Sequence, residues 1–242
     1  MVLRICIVIP VYNEETVIEG NLKTIIEYVQ NLPQPATVVA VNDGSSDNTE
    51  TILKELSKNY TDSKFKVISY PDNKGYGGAL RIGMKFAIDQ GYDYTLFMDS
   101  DLTNHPKYLT LFYSKMQEGC DYIKATRYSK GGGMKGVFWK RRLFSRAGNA
   151  LAGVLFGLPL TDVTNGFRAV KTRVLKKLEL HENGFPIIME ELYQAKKIIR
   201  SFCEVPYILT SRQQEQRDTS FPYTFRTIGK YLKYALKSFF KL

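Results

Sequence analysis

The sequence predicts a doubly wound α/β fold, a mostly parallel sheet flanked by helices. Two observations carry this expectation. Apolar runs alternate with helix-length stretches, which is the pattern of successive βαβ units. The runs are also apolar throughout rather than at every second residue, as strands buried on both faces require. A third observation bears on function. Three of the runs end in polar clusters, at the sheet edge where ligands of such folds bind.

Each element follows from its own signal. Ile5 to Ile9 is the first strand, stopped by Pro10. A polar helix pattern covers 16–30, and a second strand covers 37–41. Asp47, with Glu50 three residues later, marks the start of a helix reaching Lys58. A short strand over 65–68, a helix over 77–90 and the strand Tyr94 to Met98 come next. A helix over 107–118 and a strand over 122–126 follow. The second half changes character. Lys130 to Gly136 is glycine-rich and expected to be a mobile loop, and Trp139 opens a helix-like stretch to Phe156. A helix over 187–199, a strand over 203–205, a polar irregular stretch over 210–220 and a closing helix from Tyr223 complete the chain.

The chain has 242 residues, 44% hydrophobic and 24% charged, enough for one sizeable core plus a small appendage. Its net charge of +10 points to an anionic partner: nucleic acid, a phospholipid surface or a phosphorylated substrate. Acidic groups along the ligand edge would repel nucleic-acid phosphates, so nucleic acid is not expected as a partner. Cys6, Cys120 and Cys203 are odd in number and far apart, so a free-thiol chain in a reducing compartment is expected. The first strand begins within a few residues of Met1, leaving no room for a signal peptide. No apolar stretch approaches the roughly 20 residues that span a bilayer. The tail carries Arg226, Lys230, Lys233, Lys237 and Lys241 on one helical stripe, with Ile228, Leu232, Leu236, Phe239 and Phe240 on its apolar side. Such a helix suits anionic lipid, or packs on its own domain.

Asp99-Ser100-Asp101 ends the buried run Tyr94 to Met98. Two carboxylates so close repel each other unless a cation compensates. Mg²⁺ or Mn²⁺ is suited to that task, with open positions left for phosphate oxygens. Read alone, an Asp-x-Asp also caps helices; the strand context and the two other polar strand ends favour a site. Asp43, after the second strand, can accept from a base N–H or serve a turn. Tyr12 and Glu14 offer a flat surface and an acceptor for ribose hydroxyls. Gly75, Gly77 and Gly78 precede a helix whose amides could meet an anion. His105 before Pro106 reads as a turn residue. Arg141 and Ser145 share a helical face beside the glycine-rich loop, where an arginine fork can hold phosphate.

In order along the chain, these strings resemble the inverting glycosyltransferase family 2, and more closely its dolichyl-phosphate (polyprenyl-phosphate) mannosyltransferases. The resemblance rests on Val8 to Glu14, Asn42 to Thr49, Met98 to Leu102 with His105 to Lys107, Thr126 to Tyr128, Arg141 with Ser145, and Asp162 to Arg168. It implies a GT-A-like fold and a catalytic domain over 1–221, followed by a basic amphipathic membrane-interface helix over 222–242. It implies that Pro10, Val11, Tyr12, Glu14, Asn42, Asp43, Gly75, Asp99 and Ser100 hold the nucleotide sugar. Asp99 and Asp101 bind the metal; Arg127, Arg141 and Ser145 hold the acceptor phosphate; Arg212 sits near the diphosphate; and Asp101, Arg127 and Arg212 carry catalysis. The donor is GDP-mannose or a UDP-sugar, since Asn73 to Gly78 looks more like glucosyltransferase members, and the acceptor is polyprenyl or dolichyl phosphate. After Arg212 the expected glycine and Ser-Lys pair are replaced by the longer stretch Gln213 to Ser220. A soluble hydroxyl acceptor is the competing reading; it needs a general base, for which Glu190 and Glu191 are the candidates. The resemblance places the enzyme peripherally on the cytoplasmic face of a membrane, with room for a membrane-anchoring partner protein.

Overall fold

The structure, a computed structural model, describes residues 2–210 and 225–240. In the first half, β1 (Ile5–Val11), β2 (Ala36–Asp43), β3 (Phe65–Tyr70) and β4 (Tyr94–Phe97) alternate with α1 (Ile18–Gln30), α2 (Thr49–Ser57) and α3 (Tyr76–Asp89). A 3-10 turn at Pro106–Tyr108 leads into α4 (Leu109–Gln117) and β5 (Tyr122–Thr126). Then come β6 (Gly133–Met134), α5 (Trp139–Phe156), β7 (Arg168–Lys171), α6 (Thr172–Leu175) and α7 (Ile187–Ala195). The chain closes with β8 (Phe202–Pro206), β9 (Ile208–Leu209) and α8 (Phe225–Phe239).

Seven strands form one sheet in the order β3-β2-β1-β4-β7-β5-β8. β1 pairs parallel with both β2 and β4, so the chain reverses direction across the sheet at β1. That topological switch places the ends of β1, β2 and β4 around one crevice. Alternate residues of each strand feed opposite faces. Ile5, Ile7 and Ile9 pack with α1, α2 and α4; Cys6 and Val8 pack with α3, α7 and α8. The result is a helix–sheet–helix sandwich.

Several expectations shift. β7 runs antiparallel between β4 and β5 and is not marked by an apolar run; the fully buried Arg168 opens it. α2 begins at Thr49 rather than after an Asp47 cap; Asp47 instead accepts from the amides of Thr49 and Glu15, and Glu50 pairs with Lys54. The glycine-rich loop is anchored, contrary to expectation. Gly133–Met134 pairs with Ile208–Leu209, and the Lys135 amide donates to Leu209 at 2.8 Å. Cys120 and Cys203 are disulfide-bonded, with Cα atoms 6.2 Å apart, which corrects the free-thiol expectation. They lie 83 residues apart in sequence, but parallel pairing of β5 and β8 makes them neighbours. Cys6 remains a free thiol in the core.

α8 packs on α5 and α7 through Tyr234, Ala235 and Ser238. Lys196 donates to the Ser238 hydroxyl, and Lys230 and Lys233 lie 2.8 and 4.0 Å from the Glu182 carboxylate, so two lysines of the basic stripe serve the domain itself. Leu232, Leu236, Phe239 and Phe240 stay exposed on the other side. The side chains of Arg226 and Ile228, and all of Lys241, lie outside the described residues. No described helix is long and apolar enough to cross a membrane.

Candidate active site

The loops after β1 and β2 lock together. The Asn13 amide donates to Ser45 Oγ at 3.0 Å, and the Ser46 amide returns a bond to Asn13 Oδ1 at 2.8 Å. Asn13 holds this position with a left-handed φ of 51°, which asparagine tolerates. The Glu14 amide donates to Thr49 Oγ1, while its carbonyl starts α1 by accepting from Val17 and Ile18. Tyr12 stands exposed at the crevice mouth. Val11 is buried in the core and Pro10 half-buried, so Val11 offers only backbone to a ligand.

Asn42 and Asp43 close β2. Asn42 is fully buried, its Oδ1 accepting from the Ser45 hydroxyl at 2.5 Å. Asp43 Oδ1 accepts from Tyr70 Oη at 2.6 Å and from the Lys74 amide at 2.8 Å. Gly75 and Gly77 do not form an open anion cradle. The Gly75 amide donates to Asn73 Oδ1 and the Gly77 amide to the Asn183 carbonyl. A Cβ on Gly75 would meet that carbonyl at 2.5 Å, and one on Gly77 would strike Glu182 O. These glycines exist to admit the 182–183 backbone, and both amides are already spent.

The carboxylate pair follows β4. Asn104 Nδ2 donates to Asp99 at 2.9 Å, and Thr103 donates both its amide and hydroxyl to Asp101 Oδ1. Leu102 between them has φ 57°, a strained value for a branched residue, on the order of 1 kcal/mol. Ser100 is buried, and its carbonyl accepts from Asn21 Nδ2. His105 caps the following turn by accepting from the Lys107 amide, as expected of a turn residue. Asn104 Oδ1 is the one buried side-chain polar atom without a partner among the described residues. An unsatisfied buried acceptor on the side chain that donates to Asp99, with the Asp101 carboxylate in the same loop, offers oxygen donors only, which fits a hard divalent cation. Glu118, Cys120 and Cys203 also cluster, but the disulfide consumes both thiols.

Arg127, just past β5, is held by Asp162. Nε and Nη2 donate at 2.6 and 2.8 Å, and the Arg127 amide donates to the same carboxylate at 3.1 Å. Burial opposes the guanidinium charge, but the Asp162 carboxylate more than offsets it and raises the pKa. Tyr128 then donates to Ser145 Oγ at 2.6 Å, which ties the Arg127 segment to α5. Arg141 lies one turn earlier on α5 and is exposed. Tyr207 is buried, and burial first of all raises its pKa; Arg127, Asp162 and Asp99 all act on its hydroxyl. Asp99 and Arg127 are therefore both within electrostatic reach of one side chain. Arg212 lies outside the described residues; Thr210, two residues before it, donates its amide to the Thr103 carbonyl at 3.4 Å.

Sequence reasoning gave no role to Asp162, Asn104 or Tyr70. Asp162 stood inside a recognised string, but no local spacing marks it as the partner of Arg127, 35 residues away.

Residues 6–179 match the glycosyl transferase family 2 profile. The chain belongs to this family. This family 2 glycosyltransferase is 28% identical over 213 residues to the polyprenol monophosphomannose synthase of Mycolicibacterium smegmatis, covering 87% of this chain and 78% of that one. It is 30% identical over 238 residues to the dolichol-phosphate mannosyltransferase of Pyrococcus furiosus, covering 96% of this chain but only 62% of that longer protein. The undecaprenyl-phosphate mannosyltransferase of Micrococcus luteus is 26% identical, with 87% and 85% covered. Among solved structures, glucosyl-3-phosphoglycerate synthase from Mycobacterium tuberculosis, in complex with Mn²⁺, UDP and glucosyl-3-phosphoglycerate, superposes with a TM-score of 0.68 at 20% identity. That match covers 98% of this chain and 80% of the other, and it establishes the GT-A-like fold of this glycosyltransferase.

Proposed function

We propose that this glycosyltransferase moves a hexose, with inversion, from a nucleoside-diphosphate sugar to a polyprenyl phosphate. The observation that carries the reading is the segment Tyr207 to Thr210: the Tyr207 amide donates to the Thr126 carbonyl, next to the Asp162-held Arg127, at 3.0 Å, and the Thr210 amide donates to the Thr103 carbonyl, two residues after Asp101, at 3.4 Å. The donor would lie along the ends of β1 and β2, near Tyr12, Glu14 and Asp43. Asp99 and Asp101, with Asn104 Oδ1, would hold Mg²⁺ or Mn²⁺; such a cation neutralises charge on the departing diphosphate. The structural neighbours include a complex with Mn²⁺ and UDP-glucose and one with Mg²⁺ and UDP, which supports that choice. The names of the relatives support mannose and a lipid phosphate.

The acceptor reading has a second support. An acceptor phosphate is already ionised near neutral pH and attacks without a general base, whereas a hydroxyl needs one. Glu191 is fully buried and accepts from Arg168 at 2.5 and 2.6 Å and from Tyr122 at 2.8 Å. Glu190 accepts from the amides of His181 and Glu182. Both base candidates are committed to structure, which favours the phosphate over the hydroxyl acceptor. Arg127, Arg141 and Ser145 would position that phosphate, and orientation supplies much of the rate.

Membrane docking belongs to the same proposal. α5 exposes Trp139, Leu143, Phe144, Leu151 and Val154 beside Lys140, Arg142 and Arg146, and α8 lies against it with its own exposed apolar side. The two helices would rest on the lipid surface from which the acceptor phosphate projects.

The test is transfer of label from GDP-mannose, UDP-glucose and UDP-N-acetylglucosamine to a polyprenyl phosphate, with and without EDTA. Transfer from one donor, abolished by EDTA and by Asp101→Ala in a folded protein, is expected. Near-normal turnover of Asp101→Ala would sink the metal assignment, and transfer to a sugar hydroxyl instead would sink the acceptor.

A further inference from the structure

Asp43 closes β2 at the end of the crevice where the donor-site reading puts the base. Asp43 pairs with Tyr70 across the β2–β3 register, which fixes the phenol opposite the carboxylate. Tyr70 Oη and the Lys74 amide both donate to Oδ1, at 2.6 and 2.8 Å, and so fill both in-plane lone pairs of that oxygen. Burial and then the Asp43 carboxylate raise the Tyr70 hydroxyl, so it remains a donor across the accessible pH range. Oδ2 has no hydrogen-bond partner among the described residues, and it is not sealed from solvent, since the only sealed unpaired side-chain atom is Asn104 Oδ1.

The arrangement around Asp43 is rigid. Gly44 sits at φ 63°, and a Cβ there would meet Asn73 N at 2.7 Å and Pro71 O at 2.8 Å, so the 71–74 loop lies directly on the Gly44 backbone. Asn73 is in turn held by the Gly75 amide, and the Lys74 ammonium lies 5.0 Å from the Tyr70 ring centre. The Lys74 amide cannot swing away from Asp43 without breaking these contacts.

Resting on the donor-site reading above, we infer that Tyr70 and the Lys74 amide make Asp43 a one-acceptor site, selecting a uridine diphosphate donor over a guanosine one. Uracil presents a single donor, N3–H, on its pairing edge, which one carboxylate oxygen satisfies. Guanine presents two adjacent donors, N1–H and N2–H₂, which match the two oxygens of a carboxylate taken together. With Oδ1 filled, the second guanine donor enters a polar pocket without an acceptor, and a buried unpaired donor is costly. This choice falls on the UDP-sugar side of the two donors left open by the sequence, whereas the relatives' names speak only of the sugar.

Calorimetric titration of the full chain with UDP and with GDP, in Mn²⁺, tests this. UDP is expected to bind about tenfold or more tightly, the scale set by the cost of one buried donor left unpaired. Tyr70→Phe keeps the ring and frees one lone pair of Oδ1, so the UDP-to-GDP ratio should fall several-fold, chiefly by tighter GDP binding. GDP binding as tightly as UDP in the unaltered protein overturns the inference and leaves glycosyl transfer standing; that comparison needs no variant. An unchanged ratio in a Tyr70→Phe protein that melts normally overturns the role of Tyr70. Binding of neither nucleotide overturns the donor site itself, and the inference with it.

Discussion

Asp162 has no exposed surface, and three donors of Arg127 converge on its carboxylate. Removing one partner of such a buried pair strands the other charge, at about 3–5 kcal/mol. The pair also orients Arg127: with Nε and Nη2 held by Asp162, the guanidinium would meet the proposed acceptor phosphate through its remaining edge rather than as a free fork. Asp162→Asn keeps the shape and removes the charge. Its expected effect is a lower melting temperature and a fall of about tenfold to a hundredfold in kcat/KM for the lipid phosphate, the scale of a misplaced positioning group. Nucleotide binding, measured by titration, should be unchanged. An unchanged KM for the acceptor would reduce Arg127 to a purely structural residue. The contrast with Asp99 and Asp101 explains what a sequence can reveal. Those two are neighbours on the chain, so their repulsion is visible in the string itself. Asp162 and Arg127, or Asp43 and Tyr70, meet only because strands bring distant loops together, and no spacing rule encodes that.

At the scale of elements, strands buried on both faces announced themselves by continuous apolar runs: β1, β2 and β4 lie where the runs lie. β7 did not, because it is four residues long and its buried Arg168 breaks the apolar signal; the charge is tolerated only because Glu191 meets it. The same insertion positions Asp121 at the start of β5. Its carboxylate takes Lys171 at 2.9 Å and Arg173 at 3.3 Å from the end of β7 and beyond, and the Arg200 amide at 2.9 Å from the approach to β8. Burial alone would raise its pKa, but the Lys171 bond, the Arg200 amide and Arg173 hold it down to about 2. An acid whose folded pKa is depressed stabilises above its unfolded pKa, near 4, and loses that contribution as pH falls through the folded value. Asp121→Asn should therefore unfold at lower urea than the unaltered protein by a constant margin above about pH 4. That margin should shrink steadily as the pH falls towards about 2. A margin that is the same at pH 7 and near pH 2 would show that Asp121 acts by packing and not by charge.

At the scale of the whole molecule, the charge of +10 is not spread without order. Acidic groups gather on the ligand edge of the sheet, while Lys140, Arg141, Arg142 and Arg146 on α5 and Lys233 and Lys237 on α8 surround exposed apolar side chains. A monomer exposing Trp139, Leu143, Phe144 and Val154 on one helix, beside Leu236 and Phe239 on the next, carries an apolar patch that calls for a partner. The packing of α8 onto α5 turns two amphipathic helices into one face, a union that neither stretch of sequence discloses by itself. On the proposed reading an anionic bilayer would satisfy both halves of that face: headgroups would take the lysines and arginines, and the boundary the aromatics. The protein is therefore expected to sediment with vesicles containing phosphatidylglycerol and to release as salt rises, with weaker binding to neutral phosphatidylcholine. Each inserted apolar side chain contributes about 1.5–3 kcal/mol, so the double variant Leu143→Glu, Phe144→Glu should weaken vesicle binding more than tenfold. Because both positions are exposed, its melting temperature should stay near that of the unaltered protein. Turnover of a water-soluble short-chain polyprenyl phosphate should also survive in that variant, while turnover of a bilayer-embedded one falls. Equal vesicle binding by the variant and the unaltered protein would remove α5 from the membrane and leave the patch to a protein partner.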